Sequence, residues 1–150
     1  MHTFPPTVII RHRKENLKKC SLRGLEKKEN FLFFTYPLKN PLPNLNNYIC
    51  LSMEGPPLTS EDNDKGLILL DGTWTLAQKM EKQIPPGIEK RSIPSNYITA
   101  YPRRQTGCID PQKGLASIEA LYVAFHILQR ENKDLLDSYF WKELFLKSNF

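Results

Sequence analysis

Two stretches of this chain carry residues whose types and spacing could do chemistry. The first is Leu70, Asp71, Gly72, Thr73 and Trp74, which closes an apolar run that begins at Gly66. A carboxylate that ends a buried strand, with a helix starting at once, stands on the edge where α/β sheets bind ligands. Gly72 lets the backbone turn and lets a ligand come close to it. Ordinary strand–turn–helix chemistry accounts for the same residues, with Asp71 capping the turn and Trp74 filling the core. On these residues alone both readings stand open.

The second stretch runs from Asn96 to Gln105 and holds Tyr97, Tyr101, Arg103 and Arg104; Leu115, Ala116, Ser117 and Glu119 follow it. Guanidinium groups fork onto phosphate and stack on rings, so paired arginines among tyrosines suit phosphate and base contacts. Residues 114–117 would open a helix whose first N–H groups seat a carboxylate or phosphate. Ser117 precedes Glu119 by two residues, which is not the spacing of a capping box. Glu119 and His126 lie seven apart and share a helix face. A half-buried, hydrogen-bonded histidine is the ordinary reading of His126, and no metal site is arguable from it. A basic stretch, from Arg11, His12 and Lys14 through Lys18 and Lys19 to Lys27 and Lys28, reads as a solvated face or as a track for an RNA backbone.

Prolines mark the elements that must position these residues. There are 12 of them against 7 glycines, and none follows Pro111. Each removes an N–H and disfavours helix just before it, so regular elements fall in the gaps. Residues 7–12, 31–36, 48–53 and 66–71 are short, nearly continuous apolar runs, which read as strands buried on both faces of a parallel sheet. Helical patterns lie at 14–25, at 73–83 with Thr73 as cap, at 115–130, and at 133–147 with Asn132 as cap. In the last of these Leu136, Tyr139, Phe140 and Leu144 share one face. The tail 133–150, with Tyr139, Phe140, Trp141, Phe145 and Phe150, is apolar enough for a homodimer contact and fits a core helix equally. Strands alternating with helices imply a single α/β domain, 1–150, with a mostly parallel sheet flanked by helices.

Composition narrows the class. The chain has 150 residues, 40% of them hydrophobic, and carries 21 Lys+Arg against 16 Asp+Glu for a net charge of +5. That is enough apolar material for one core, and the modest positive charge suits a nucleic-acid partner without requiring one. No apolar run approaches the roughly 20 residues of a membrane span. No basic segment followed by an apolar one opens the chain, which reads as cytoplasmic. Cys20, Cys50 and Cys108 are odd in number and widely spaced, against both a disulfide framework and a zinc ribbon.

Leu70, Asp71, Gly72, Thr73 and Trp74, with Ala77 three residues on, resemble the L-D-G-T-W-x-x-A signature of DTW-domain proteins. Three more segments resemble that family in the same order. Ile10, Arg11, His12 and Glu15 are similar to its first-strand H-P-x-E element, Tyr97 to Gln105 to its tyrosine and Arg-Arg-Gln stretch, and Leu115 to Ala120 to its L-S-T-x-E-A helix start. Arg13 stands where proline is usual, and Ala116 and Ser117 replace Ser-Thr.

The resemblance implies a fold related to the knotted SPOUT-like RNA methyltransferases. It also implies transfer of the 3-amino-3-carboxypropyl group of S-adenosylmethionine to N3 of a uridine in tRNA, releasing methylthioadenosine. S-adenosylmethionine would be the co-substrate, with no metal. Carried onto this sequence, Asp71 would be the base or would position N3–H. Gly72, Thr73, Leu115, Ala116, Ser117 and Glu119 would cradle the cofactor. His12, Glu15, Lys18, Lys19, Tyr97, Arg103, Arg104 and Gln105 would bind RNA. A related branch modifies ribosomal RNA, with cysteine and serine where this chain has Gly72 and Thr73. The same residues would also suit an RNA methyltransferase using that cofactor, or a non-catalytic RNA-binding module.

Overall fold

Val8, Ile9 and Ile10 are β-branched, and branched side chains favour the extended backbone that a sheet needs. They form the middle of β1 (Thr7–His12), whose six residues are all buried. β2 (Phe31–Tyr36), β3 (Tyr48–Leu51) and β4 (Gly66–Asp71) fill the other apolar gaps between prolines. The computed structural model describes residues 4–13, 22, 24–38, 42–71, 74–100 and 115–150. Among them the sheet has five strands in the order β2–β1–β4–β3–β5, and every pairing is parallel. The α/β class expected from the sequence is the one observed.

Alternation along the two central strands sorts side chains into two cores. Ile9, Leu67 and Leu69 face α2 (Ser117–Ile127) and α3 (Lys142–Asn149), where Leu121, Val123, Leu128 and Phe145 are buried with them. Val8, Ile10, Ile68 and Leu70 face the other way and pack with Met80 of α1 (Trp74–Glu81). Helices therefore cover both faces of the sheet, as a parallel sheet requires. Cys50 sits in the second core, and burial pushes its thiol up to about 12, so it packs as a small apolar side chain rather than as a nucleophile.

Several expectations are corrected. β2 is an edge strand with four half-buried residues and two exposed ones, Leu32 and Thr35, so it is not buried on both faces. A fifth strand, β5 (Glu89–Arg91), has no apolar run to announce it. It pairs with β3, and ion pairs hold its side chains: Lys90 to Glu81 at 2.6 Å and Arg91 to Asp62 at 3.3 Å. The helix expected over 133–147 is confined to Lys142–Asn149. Before it the chain takes tighter turns, with Leu135 N–H bonding Asn132 O and Tyr139 N–H bonding Leu136 O. Those turns let Leu135, Leu136 and Tyr139 all reach the core, while Phe140 is 85% exposed and Leu144 faces solvent. Asn132 thus accepts a turn bond instead of capping a helix. Residues 14–21 and 23 of the crossover expected at 14–25, and the cap at Thr73, fall outside the described residues; at its end Leu25 opens a 3₁₀ turn, Leu25–Lys27.

Gly66 begins β4 directly opposite Tyr48 on β3. A Cβ at Gly66 would run into the Tyr48 ring, and the ring is anchored because its hydroxyl donates to Pro6 O at 2.6 Å. Gly66→Ala should therefore lower the unfolding free energy by about 1–3 kcal/mol. Urea denaturation followed by circular dichroism measures it, and an unchanged midpoint would show that the ring gives way.

Candidate active site at the C-terminal edge of the sheet

From β1 the chain moves outward to β2 on one side; from β4 it moves outward to β5 on the other, beyond β3. The crevice between the C-terminal ends of β1 and β4 is thus the topological switch point, the place where open α/β sheets hold ligands. Arg11 and Asp71 are register partners there. Opposed residues on parallel strands point the same way, so both project onto the face covered by α2.

Asp71 is 3% exposed. Arg11 Nε donates to its Oδ2 at 3.2 Å, and Ser117 Oγ donates to its Oδ1 at 2.7 Å. Arg11 also lies over the Phe33 ring, 4.8 Å from the centroid, and its Nη1 donates to Glu26 Oε2 at 3.1 Å. Glu26 stands on a short 3₁₀ turn, Leu25–Lys27, and its Oε1 accepts from Gly24 N–H at 2.8 Å. One line of alternating charge and hydrogen bonding thus runs Glu26–Arg11–Asp71–Ser117 across four segments of the chain.

Burial works to raise the Glu26 carboxyl; its own and the Gly24 backbone N–H, with Arg11, outweigh it and hold the carboxyl below its ordinary value.

Glu119 is wholly buried, two residues beyond Ser117. Its Oε1 accepts from Ala116 N–H at 2.7 Å and from Thr99 Oγ1 at 2.6 Å. Its Oε2 accepts from Ala100 N–H at 2.8 Å and from Tyr139 OH at 2.9 Å. Four donors match the roughly four lone-pair sites of a carboxylate. Glu119 therefore ties the 97–100 segment, the start of α2 and Tyr139 together. Ala116 is the cap residue, and Glu119 supplies the half of a capping box that reaches back to the cap N–H. Ala116 has no side-chain oxygen to complete the other half.

The structure brings together Asp71, Ser117, Ala116 and half-buried Leu115 of the sequence-derived set. Glu119 is adjacent, with its oxygens engaged by the protein. His12 ends β1 on the opposite face, buried beside Tyr36 with ring centroids 5.4 Å apart. Tyr97 is half-buried and packs against Phe150, 5.8 Å between centroids. Asn149 of α3 clasps the next residue, taking Ile98 N–H at 2.7 Å and giving its amide to Ile98 O at 2.9 Å. His126 does not share the environment of Glu119: it is exposed, against the Phe150 ring at 4.9 Å. Gly72, Thr73, Glu15, Lys18, Lys19, Arg103, Arg104 and Gln105 lie outside the described residues.

Sequence reasoning missed the roles of Arg11 and Glu26. Arg11 was visible within a basic run, but its partner is 60 residues away. Nothing in the spacing signals Glu26.

The opposite edge of the sheet has a different character. A cavity of about 690 Å³ opens there beside Phe4, Lys28, Asn30 and Arg130. Arg130 lies between the rings of Phe4 and Phe125 and donates to the carbonyls of Asn63 and Lys65. Burial lowers its guanidinium to about 10, which leaves it cationic at neutral pH. Its bonds close the N-terminal end of β4, far along the strand from Asp71.

These features define an α/β protein with a carboxylate-centred crevice at the switch point of a parallel sheet. Among solved structures, the chain is similar to the SAM-dependent rRNA:acp-transferase Tsr3 from Vulcanisaeta distributa, with a TM-score of 0.70 and 22% identity. The match covers 96% of this chain and 78% of that one, and the two share a fold. No protein-family model matches the chain, and no curated protein does.

Two outcomes follow from this geometry. Glu119→Ala would leave four donors without their acceptor and should cost at least about 2 kcal/mol of stability, read from denaturant unfolding. Glu26, with its carboxyl lowered in the folded state, contributes stability above the ordinary carboxylate value, and this is lost as pH falls through the lowered folded value. Glu26→Gln should therefore flatten the acid limb of a stability–pH curve, and an unaltered limb would show that the Arg11 contact is energetically silent.

Proposed function

We propose that this chain is an RNA-modifying transferase that moves the 3-amino-3-carboxypropyl group of S-adenosylmethionine to a pyrimidine nitrogen, with uridine N3 as acceptor. The observation that carries the reading is the buried Asp71 carboxylate at the switch-point crevice, held by Arg11 and Ser117. Support comes from the fold shared with Tsr3 and from the four ordered segments that resemble DTW-domain proteins. The donor set suits the co-substrate: a fixed anion complements a sulfonium or ammonium, and the start of α2 complements a carboxylate.

The sulfonium supplies the activation, because every carbon attached to it is already an electrophile. The protein's task is to choose the carbon and to present the nucleophile in line, which is catalysis by orientation. The backbone N–H of Ser117 at the start of α2, rather than its side chain, would hold the amino-acid end, with Ala116 supporting that turn. Asp71 would lie at the end of the path taken by the N3 proton. Arg103, Arg104 and Gln105, with Lys18 and Lys19, would hold the RNA backbone, and Tyr97 would face a base.

Two RNA substrates have specific support. The structural neighbour is an rRNA transferase, which favours ribosomal RNA. The Gly72-Thr73 pair within the D-G-T-W signature favours tRNA instead.

Incubation with S-adenosylmethionine labelled in the aminocarboxypropyl chain, with tRNA and ribosomal RNA in separate reactions, tests both. Label in RNA together with methylthioadenosine release supports the transferase, and the labelled RNA identifies the substrate. S-adenosylhomocysteine as the product would make the chain a methyltransferase, and binding without turnover an RNA-binding module. Asp71→Asn should lower transfer by about 10²–10⁴-fold; activity within about tenfold of the parent would remove Asp71 from the proton path.

A further inference from the structure

Asp71 and Ser117 differ in one respect that bears on the transferase reading. The carboxylate is 3% exposed, with one oxygen turned to Arg11 and the other to Ser117, whereas Ser117 is half-buried at the rim, the first residue of α2. A nucleobase approaching the crevice meets the hydroxyl before the carboxylate. Because Oγ gives its proton to Asp71 at 2.7 Å, the lone pairs of that oxygen face other groups as acceptors.

We propose that Ser117 is the catalytic residue that meets the N–H of the nucleophile and relays its proton to Asp71. This rests on the transferase function proposed above. In the step, the N–H bond breaks and its proton forms a bond to Ser117 Oγ. The proton already on Oγ crosses to Asp71 Oδ1. The nitrogen electron pair forms the new bond to the aminocarboxypropyl carbon, and the pair of the breaking C–S bond stays on sulfur, which becomes neutral. One positive charge leaves sulfur and one proton arrives on Asp71, so charge balances. Arg11 keeps a partner when Asp71 turns neutral, because Glu26 holds its other edge at 3.1 Å. Asp71 and Arg11 are then positioning groups that act through Ser117.

The relay separates from a cofactor-holding role by the constant that changes. Ser117→Ala should lower kcat for methylthioadenosine release by about 10²-fold or more, since a removed acid–base group is worth that much. The Kd for S-adenosylmethionine, measured by calorimetry, should stay within about twofold of the parent. Ser117→Thr keeps the hydroxyl and should restore most of kcat. Should Ser117→Ala lose its fold, Ser117→Cys carries the test: its thiol is a weaker donor and acceptor, so kcat must still fall. A kcat within about threefold of the parent for Ser117→Ala, or a loss confined to Kd, overturns the relay while leaving the transferase in place. No methylthioadenosine from the parent protein with either RNA overturns the transferase reading, and the relay with it.

Discussion

A carboxylate taken out of water costs several kcal/mol unless charge and hydrogen bonds meet it. Asp71 meets both, and the arrangement of the whole C-terminal edge follows from how. Its cation comes from the neighbouring strand in register, so β1 and β4 must lie side by side and parallel. Its hydroxyl comes from the first residue of α2, so that helix must begin over the end of β4. The cation in turn needs its own neutralising partner, and Glu26 supplies it from the turn that leads into β2. Four segments far apart in sequence are thus fixed by one buried charge.

A second buried carboxylate lies close by and does a different job. Glu119 takes four donors from its own chain, two of them backbone N–H groups, and all four lose this acceptor if it moves. Such a group is a fastener. Its effect on the edge is indirect: it holds the start of α2 where Ser117 can reach Asp71. It also holds residues 99 and 100, which precede Arg103 and Arg104 in the sequence. Asn149 adds a paired clasp on Ile98 from α3. The C-terminal third therefore supports the crevice from behind.

The sheet was legible because each of its four main strands is an apolar run between prolines, and an apolar run has little choice but burial. β5 was not, since Glu89, Lys90 and Arg91 form an edge strand held by Glu81 and Asp62 across loops that no local pattern encodes. The stretch 133–141 misled because helical spacing and successive tight turns can bury the same Leu136 and Tyr139; the bond from Tyr139 to Glu119 belongs to the turns, and it is a tertiary contact. At the site, Asp71 and Ser117 were legible from strand end and helix start. Arg11 and Glu26 were not, because an ion pair between distant segments has no spacing to read.

The contrast between the two carboxylates also bears on which of them can take part in chemistry. A proton acceptor must be able to change its hydrogen bonding during a reaction. Glu119 would have to surrender a backbone N–H or the Tyr139 hydroxyl, each of which is buried with it. Asp71 has at Oδ1 the Ser117 hydroxyl, a group that can both donate and accept and that belongs to a half-buried residue. Arg11 can keep its place at Oδ2 throughout, because protonation at Oδ1 leaves that oxygen an acceptor. On the transferase reading proposed above, the edge has one carboxylate that holds shape and one placed to receive the proton.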